Sequence, residues 1–221
     1  MTRKRGSFNK KNKKIKTAVE QIEQPASRKP RHAKDNAPTE EELEKMYSAC
    51  ENPFDRAVIS LCGYCGMRES EVAHCKKAWV NFQERTIEIP ERQPCECGEC
   101  AKLRGGVWYP KTKVGARTIP IRKNGFEAIR LFFEYEDAIN CSRQTIYNRI
   151  IEMARVSGIT KKVHPHALRS AYASYWGQNG MSTPNLLYIM GWKKIETGNR
   201  YVTTDQRVAI KMAKMIEGRN F

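Results

Sequence analysis

His166 and Arg169 stand three residues apart at the start of the run 164–201, and a helix there would put an imidazole and a guanidinium on one face. Leu168, between them, would then point toward a core. An imidazole exchanges a proton near neutral pH, and a guanidinium grips a phosphate through two parallel hydrogen bonds. Further along, Trp192 supplies an indole that can only donate, and Tyr201 a phenol. As a set, these are groups for chemistry on a phosphodiester. Singly, each has a plainer reading: H-x-x-R arises by chance, a Trp after a helix-ending Gly suits a core, and Tyr201 suits a surface.

The set needs elements to position it. Thr183-Pro184 reads as an N-cap followed by proline at the first helical position, and Gly191 as the C-terminal end of that short helix. Upstream, Thr39 and Glu42 form a capping box, with Leu43, Met46, Tyr47 and Cys50 at helical spacing behind it. A second helix, on Phe54, Ala57, Val58, Leu61 and Cys65, ends at Gly66. Residues 79–82 and 86–89 read as strands, and residues 107–113 and 117–121 as a return strand about a turn at Gly115. Helical periodicity resumes on Phe126, Ile129, Phe132 and Phe133, then on Ile146, Ile150 and Val156. At the end, Val208, Ala209, Met212, Met215 and Ile216 share a face opposite Lys211 and Lys214. The expected fold is mainly α with a small antiparallel β-sheet, an α+β class.

Composition names the kind of partner. The 221 residues are 40% hydrophobic, enough for a core, and hold 40 Lys+Arg against 24 Asp+Glu, a net charge of +16. Residues 1–34 contain 12 basic and 2 acidic residues, so 12 − 2 = +10 of that charge lies there and +6 in the remainder. Such a segment buries too little surface to fold alone; residues 1–37 are therefore expected as a disordered basic tail and residues 38–221 as the folded domain. A polyanion, with nucleic acid the best fit, is the partner this charge favours. The start of the chain has no apolar signal core, and the longest apolar run, residues 57–67, is broken by Gly63 and Gly66. A soluble, cytoplasmic protein without a membrane span is expected.

Eight cysteines in an intracellular chain point to reduced thiols or metal. Cys95, Cys97 and Cys100 crowd one turn containing Gly98, with C-x-C overlapping C-x-x-C, and look like three ligands of a tetrahedral structural zinc. A fourth is not local. Cys75 is the candidate carried forward, with His74 and Cys65 open, and three free thiols on a hairpin tip (residues 93–106) is the competing reading.

In order, Gly66-Met67-Arg68-x-x-Glu71, a lysine in a strand turn, His166-x-x-Arg169, Trp192 and Tyr201 resemble the catalytic domain of the tyrosine recombinases, the phage-integrase family, over roughly residues 38–218. The resemblance implies that Arg68 and Arg169 clamp the scissile phosphate, that Glu71 orients a neighbour, and that His166 is a base or phosphate ligand. Trp192 stands where most members have histidine and some tryptophan, so it would donate without shuttling a proton. Lys111, or second to it Lys113, would protonate the departing 5'-oxygen. Tyr201 would attack to form a 3'-phosphotyrosine that a second strand's hydroxyl can reverse, with no cofactor for catalysis. The family commonly works as a tetramer on DNA and passes its C-terminal segment between protomers, here residues 203–216; packing in cis is equally compatible with the sequence. Cysteine-bearing insertions resemble those of integrases from archaea and their viruses. The rival expectations are a type IB topoisomerase-like nicking-closing enzyme and a non-catalytic, zinc-stabilised DNA-binding protein.

Overall fold

Caps and prolines set where the helices begin. Thr39 Oγ1 accepts from the Glu42 backbone N–H at 3.2 Å while the Glu42 carboxylate accepts from Thr39 N–H at 2.7 Å, so both halves of the expected box start α1 (Glu40–Ser48). In the computed structural model, which describes residues 33–202 and 206–218, α1 buries Leu43 and Met46. The basic tail expected over residues 1–37 lies almost wholly outside the described residues. Asn52 caps α2 (Pro53–Ile59), which continues as a π-helical turn, Ser60–Tyr64.

Gly66 then reverses the chain with φ 63°, and a Cβ there would stand 2.4 Å from the Tyr172 ring, so only glycine serves. The reversal leaves Arg68 at the N-cap position of α3 (Glu69–Ala73), where its backbone N–H donates to Glu71 at 2.8 Å.

Strands β1 (Val80–Asn81), β2 (Thr86–Ile89) and β5 (Arg117–Pro120) form an antiparallel sheet in the order β1-β2-β5, with Ile87 opposite Ile119. Ile87 and Ile89 face the core and Glu88 faces out, the alternation expected of a one-sided strand. The expected pairing of residues 107–113 with 117–121 is not what forms. Strand β4 (Val107–Trp108) pairs with β3 (Gln93–Pro94) in a separate ribbon, and β5 pairs with β2. Pro110 lacks the N–H a continuing ladder needs, and the 3-10 turn Lys113–Gly115 folds Gly115 against the Pro110 ring. Between β3 and β4 the cysteine segment holds a helix, α4 (Gly98–Leu103), in place of the simple turn expected.

The remaining helices are α5 (Lys123–Tyr135), α6 (Arg143–Val156), α7 (Pro165–Gln178), α8 (Thr183–Met190), α9 (Ile195–Asn199) and α10 (Gln206–Glu217). Helix α7 is the central element: Ala167 to Ala173 are all buried, and the Tyr172 hydroxyl donates to Pro120 O at 2.8 Å, tying α7 to β5. The cap of α8 is Ser182, one residue before the expected Thr183, whose hydroxyl instead donates to Asn199 at 2.9 Å. Gly191 ends α8 in the left-handed conformation, φ 58°, as expected. On α10, Val208 and Met212 of the expected stripe are half-buried beside Gly180 and Ala209 and Met215 are exposed, as is Ile210, while the Ile216 side chain lies outside the described residues. No helix among the described residues is long and apolar enough to cross a membrane.

Candidate active site

The last carbonyls of a helix have no partner within it, and those at the end of α8 are met by arginines, two of which share Met190 O. Arg68 Nη2 donates to Gly191 O at 2.7 Å and to Met190 O at 3.4 Å. Arg169, from α7, donates through Nη2 to the same Met190 O and through Nη1 to Gly66 O. Two cations remote in sequence thus converge on one helix C-terminus, whose partial negative charge favours them there.

Glu71, which is fully buried, fixes the orientation of Arg68 and of a third arginine, Arg117. Its Oε1 accepts from Arg68 Nη1 at 2.7 Å and Arg117 Nη1 at 2.9 Å, and its Oε2 from Arg117 Nη2 at 3.0 Å. Burial alone would raise this carboxyl, but Arg117, then Arg169 and Arg68, outweigh it and bring it down to about 2. Three guanidiniums around one carboxylate leave 3 − 1 = +2. Burial and then the charges of Arg68 and Arg117 accordingly depress Arg169 well below its ordinary value, and its Nε is buried without a partner. An anion suits this cluster more than any neutral group.

Arg117 is the member that sequence reasoning missed. It is buried on β5, donating through Nε to Ile189 O at 2.8 Å. The signal was present: with Ile119 two residues on, strand alternation puts Arg117 on the core face, where a charge demands a partner.

Beyond Arg169 lie the aromatic groups. The Trp192 ring is 5.9 Å from the Arg169 guanidinium and stacks on Tyr201 at 5.1 Å between centroids, 27° between planes. Tyr201 is buried, and its hydroxyl meets Ser170 Oγ at 3.1 Å. Its backbone crosses α7 so closely that a Cβ on Gly177 would stand 2.1 Å from Tyr201 O. Lys34 Nζ lies 5.4 Å from the Tyr201 ring centroid. His166 sits one turn before Ser170, whose hydroxyl donates to His166 O at 3.0 Å. The His166 side chain reaches the surface, yet the surrounding protein desolvates it and, with Arg169, His164 and Arg68, holds it below the ordinary imidazole value.

Arg68 is paired with Glu71 and shares Met190 O with Arg169, and Arg169, Trp192 and Tyr201 follow one another in contact, with His166 on the helix of Arg169. Lys111 and Lys113 are not. Both are exposed on the turn before β5, whose Val114 carbonyl lies against Gly191, so the turn borders the cluster while the amines face solvent.

A second cluster lies at the far end of α3. His74, Cys95, Cys97 and Cys100 bring one ligand atom each to within 4.8 Å of one another. Cys75, carried forward as fourth ligand, is instead buried in the apolar core, as is Cys65. The end of α3 turns adjacent side chains in opposite directions: Cys75 goes inward and His74 outward.

The sequence matches the model of the phage integrase family over residues 37–207. It is 24% identical to tyrosine recombinase XerD of Pseudomonas putida over 147 residues, 66% of this chain and 48% of that protein. It is 27% identical to tyrosine recombinase XerA of Pyrococcus horikoshii over 201 residues, 81% of this chain and 61% of that one. The chain spans about half the length of the curated relatives it matches. Among solved structures, a crystal structure of XerA recombinase superposes with a TM-score of 0.61 at 20% identity, covering 84% of this chain and 65% of the other. The Tn1549 transposon integrase in complex with a circular intermediate DNA superposes at 0.57 and 17% identity, covering 96% and 80%.

Proposed function

The chain belongs to the phage integrase family, and from that premise we propose that it is a site-specific DNA recombinase that cuts and rejoins strands through Tyr201. The observation carrying this reading is the convergence of Arg68 and Arg169 on Met190 O beside the Trp192–Tyr201 stack. A phosphodiester at this surface meets two prealigned guanidiniums as charge grows on its non-bridging oxygens. Trp192 donates a hydrogen bond to the same phosphate. His166, neutral near pH 7, takes the phenolic proton or ligates the phosphate, and Lys111, with Lys113 second, gives a proton to the leaving 5'-oxygen once the turn closes on DNA. Tyr201 attacks phosphorus, the 5'-oxygen departs, and the retained 3'-phosphotyrosyl ester is attacked in turn by another strand's hydroxyl.

No cofactor takes part in these steps, and a zinc at the cysteine hairpin would serve structure alone. Double-stranded DNA is the substrate, four protomers assemble on it, and the exposed apolar side of α10, Ile210 and Met215, is what a neighbouring protomer would cover. A mobile element or virus of an archaeal host is the source this reading favours, with the host cytoplasm as the place of action.

The test is covalent capture. The chain is incubated with nicked duplexes of randomised sequence and denatured in SDS. An adduct mapping to Tyr201 and absent from Tyr201→Phe supports the reading. Binding without any adduct favours a non-catalytic binder, and relaxation of supercoiled plasmid without recombinants favours a nicking-closing enzyme.

A further inference from the structure

His74 closes α3, and its ring is engaged at both nitrogens and on one face. Its Nδ1 lies 2.8 Å from Ser70 O, so Nδ1 carries the hydrogen and the lone pair is left on Nε2. That lone pair faces Cys97 Sγ at 3.4 Å and Cys100 Sγ at 3.5 Å. Trp108 stacks on the ring at 5.4 Å, and Gln93 donates to His74 O at 3.0 Å while accepting from Trp79 Nε1 at 2.9 Å. The β3–β4 ribbon thus frames the imidazole, and the segment between its strands delivers the sulfurs: Cys95 N–H donates to Gly106 O at 2.8 Å, and Gly106 N–H to Cys100 O at 3.0 Å.

Tetrahedral zinc has Zn–S of about 2.3 Å and Zn–N of about 2.0 Å, which fixes the S···N edge at about 3.5 Å. The two S···N separations about His74, 3.4 and 3.5 Å, match that edge. A hydrogen-bonded thiol cluster does not require this, because one lone pair accepts one hydrogen well and here it faces two sulfurs. Nor are the cysteines paired with each other, since all three are free. The carbonyl on Nδ1 is the orienting partner that zinc-ligating histidines usually have.

We infer that His74 Nε2 and the Sγ atoms of Cys95, Cys97 and Cys100 form a structural zinc centre that clamps the inserted hairpin to the C-terminal end of α3. Four protein ligands leave no open position, so the ion does not act on substrate. Its effect is mechanical. Helix α3 starts at Arg68 and carries Glu71, and the hairpin leads through β4 to the turn bearing Lys111, so one ion spans the two arms that border the arginine cluster.

The full chain, purified under reducing conditions and reconstituted with zinc, is to be dialysed and its metal counted by mass spectrometry. One zinc per chain is expected, retained in Cys75→Ser and lost in Cys97→Ser and His74→Ala. Because those two variants could fail to fold, the wild-type chain is also to be loaded with cobalt(II), where intense sulfur-to-cobalt charge transfer with tetrahedral ligand-field bands is expected. A folded wild-type chain that keeps no zinc, a Cys97→Ser chain that keeps it fully, or a cobalt spectrum without thiolate bands would overturn the assignment. None of these readouts depends on DNA cleavage, so the metal centre and the recombinase reading stand or fall separately.

Discussion

Arg68 and Arg169 both donate to the carbonyl oxygen of Met190, so the N-cap of α3 and the second turn of α7 are registered on one atom of α8. Backbone acceptors hold both guanidiniums in place, and the planar fork is what makes that possible. Arg169→Lys keeps the charge but reaches fewer of these acceptors. Its single-turnover rate of Tyr201 adduct formation should fall roughly 100-fold or more, with the far-UV circular dichroism unchanged. A rate within a few-fold of wild type would mean that charge alone suffices.

Glu71 holds Arg68 and Arg117 together, and its removal strands buried positive charge. Glu71→Gln should lose about 3 kcal/mol or more of stability in urea unfolding at pH 7. The acid side has a sign. Because the folded carboxyl sits at about 2 against an ordinary 4.5, its contribution is fully present above 4.5 and is lost as the pH falls from there through 2. That shift corresponds to about 3 kcal/mol, a component of the wild-type pH profile that Glu71→Gln should lack.

His166 is held below the ordinary imidazole value by desolvation and by its cationic neighbours, so its neutral form already dominates at pH 7. Cleavage should be level around neutrality and decline only on the acid side of the usual histidine range. A rate profile of His166→Asn that keeps the same acid limb would assign that limb to another group.

Gly177 lets the backbone of Tyr201 cross α7, and a Cβ there would stand 2.1 Å from Tyr201 O. Gly177→Ala should therefore displace the phenol from Ser170 and Trp192, abolishing adduct formation while noncovalent DNA binding in a gel shift stays within a few-fold. Equal loss of binding and cleavage would point to general unfolding instead.

Local signals carried much of this architecture. The Thr39–Glu42 box and the Gly191 stop form where the residues foretell them, because each is settled within a few residues. Thr183 is the first residue of α8 and not its cap: Ser182 holds the cap position without a side-chain bond, and the Thr183 hydroxyl is engaged by Asn199, a partner 16 residues away. The strand pairing was misread for a longer-range reason: residue 107 onward looks like a partner for residue 117 onward until Pro110 breaks the ladder. Arg117 was missed for a similar reason, and His74 stood only as one of three candidate fourth ligands. Alternation with Ile119 marks the core face for Arg117, but the carboxylate that makes a buried charge there tenable is 46 residues away, and whether His74 or Cys75 faces the cysteines depends on how α3 ends.

The sharpest test uses a duplex whose scissile phosphate bears a methyl group in place of one non-bridging oxygen, with Tyr201 adduct formation as the readout. If the two guanidiniums neutralise charge on that phosphorus, Arg68→Ala and Arg169→Ala should each slow cleavage of the ordinary diester by roughly 100-fold or more, and slow the neutral substrate far less. An equal loss on both substrates would contradict the account, because the arginines would then be holding the fold and not the phosphate.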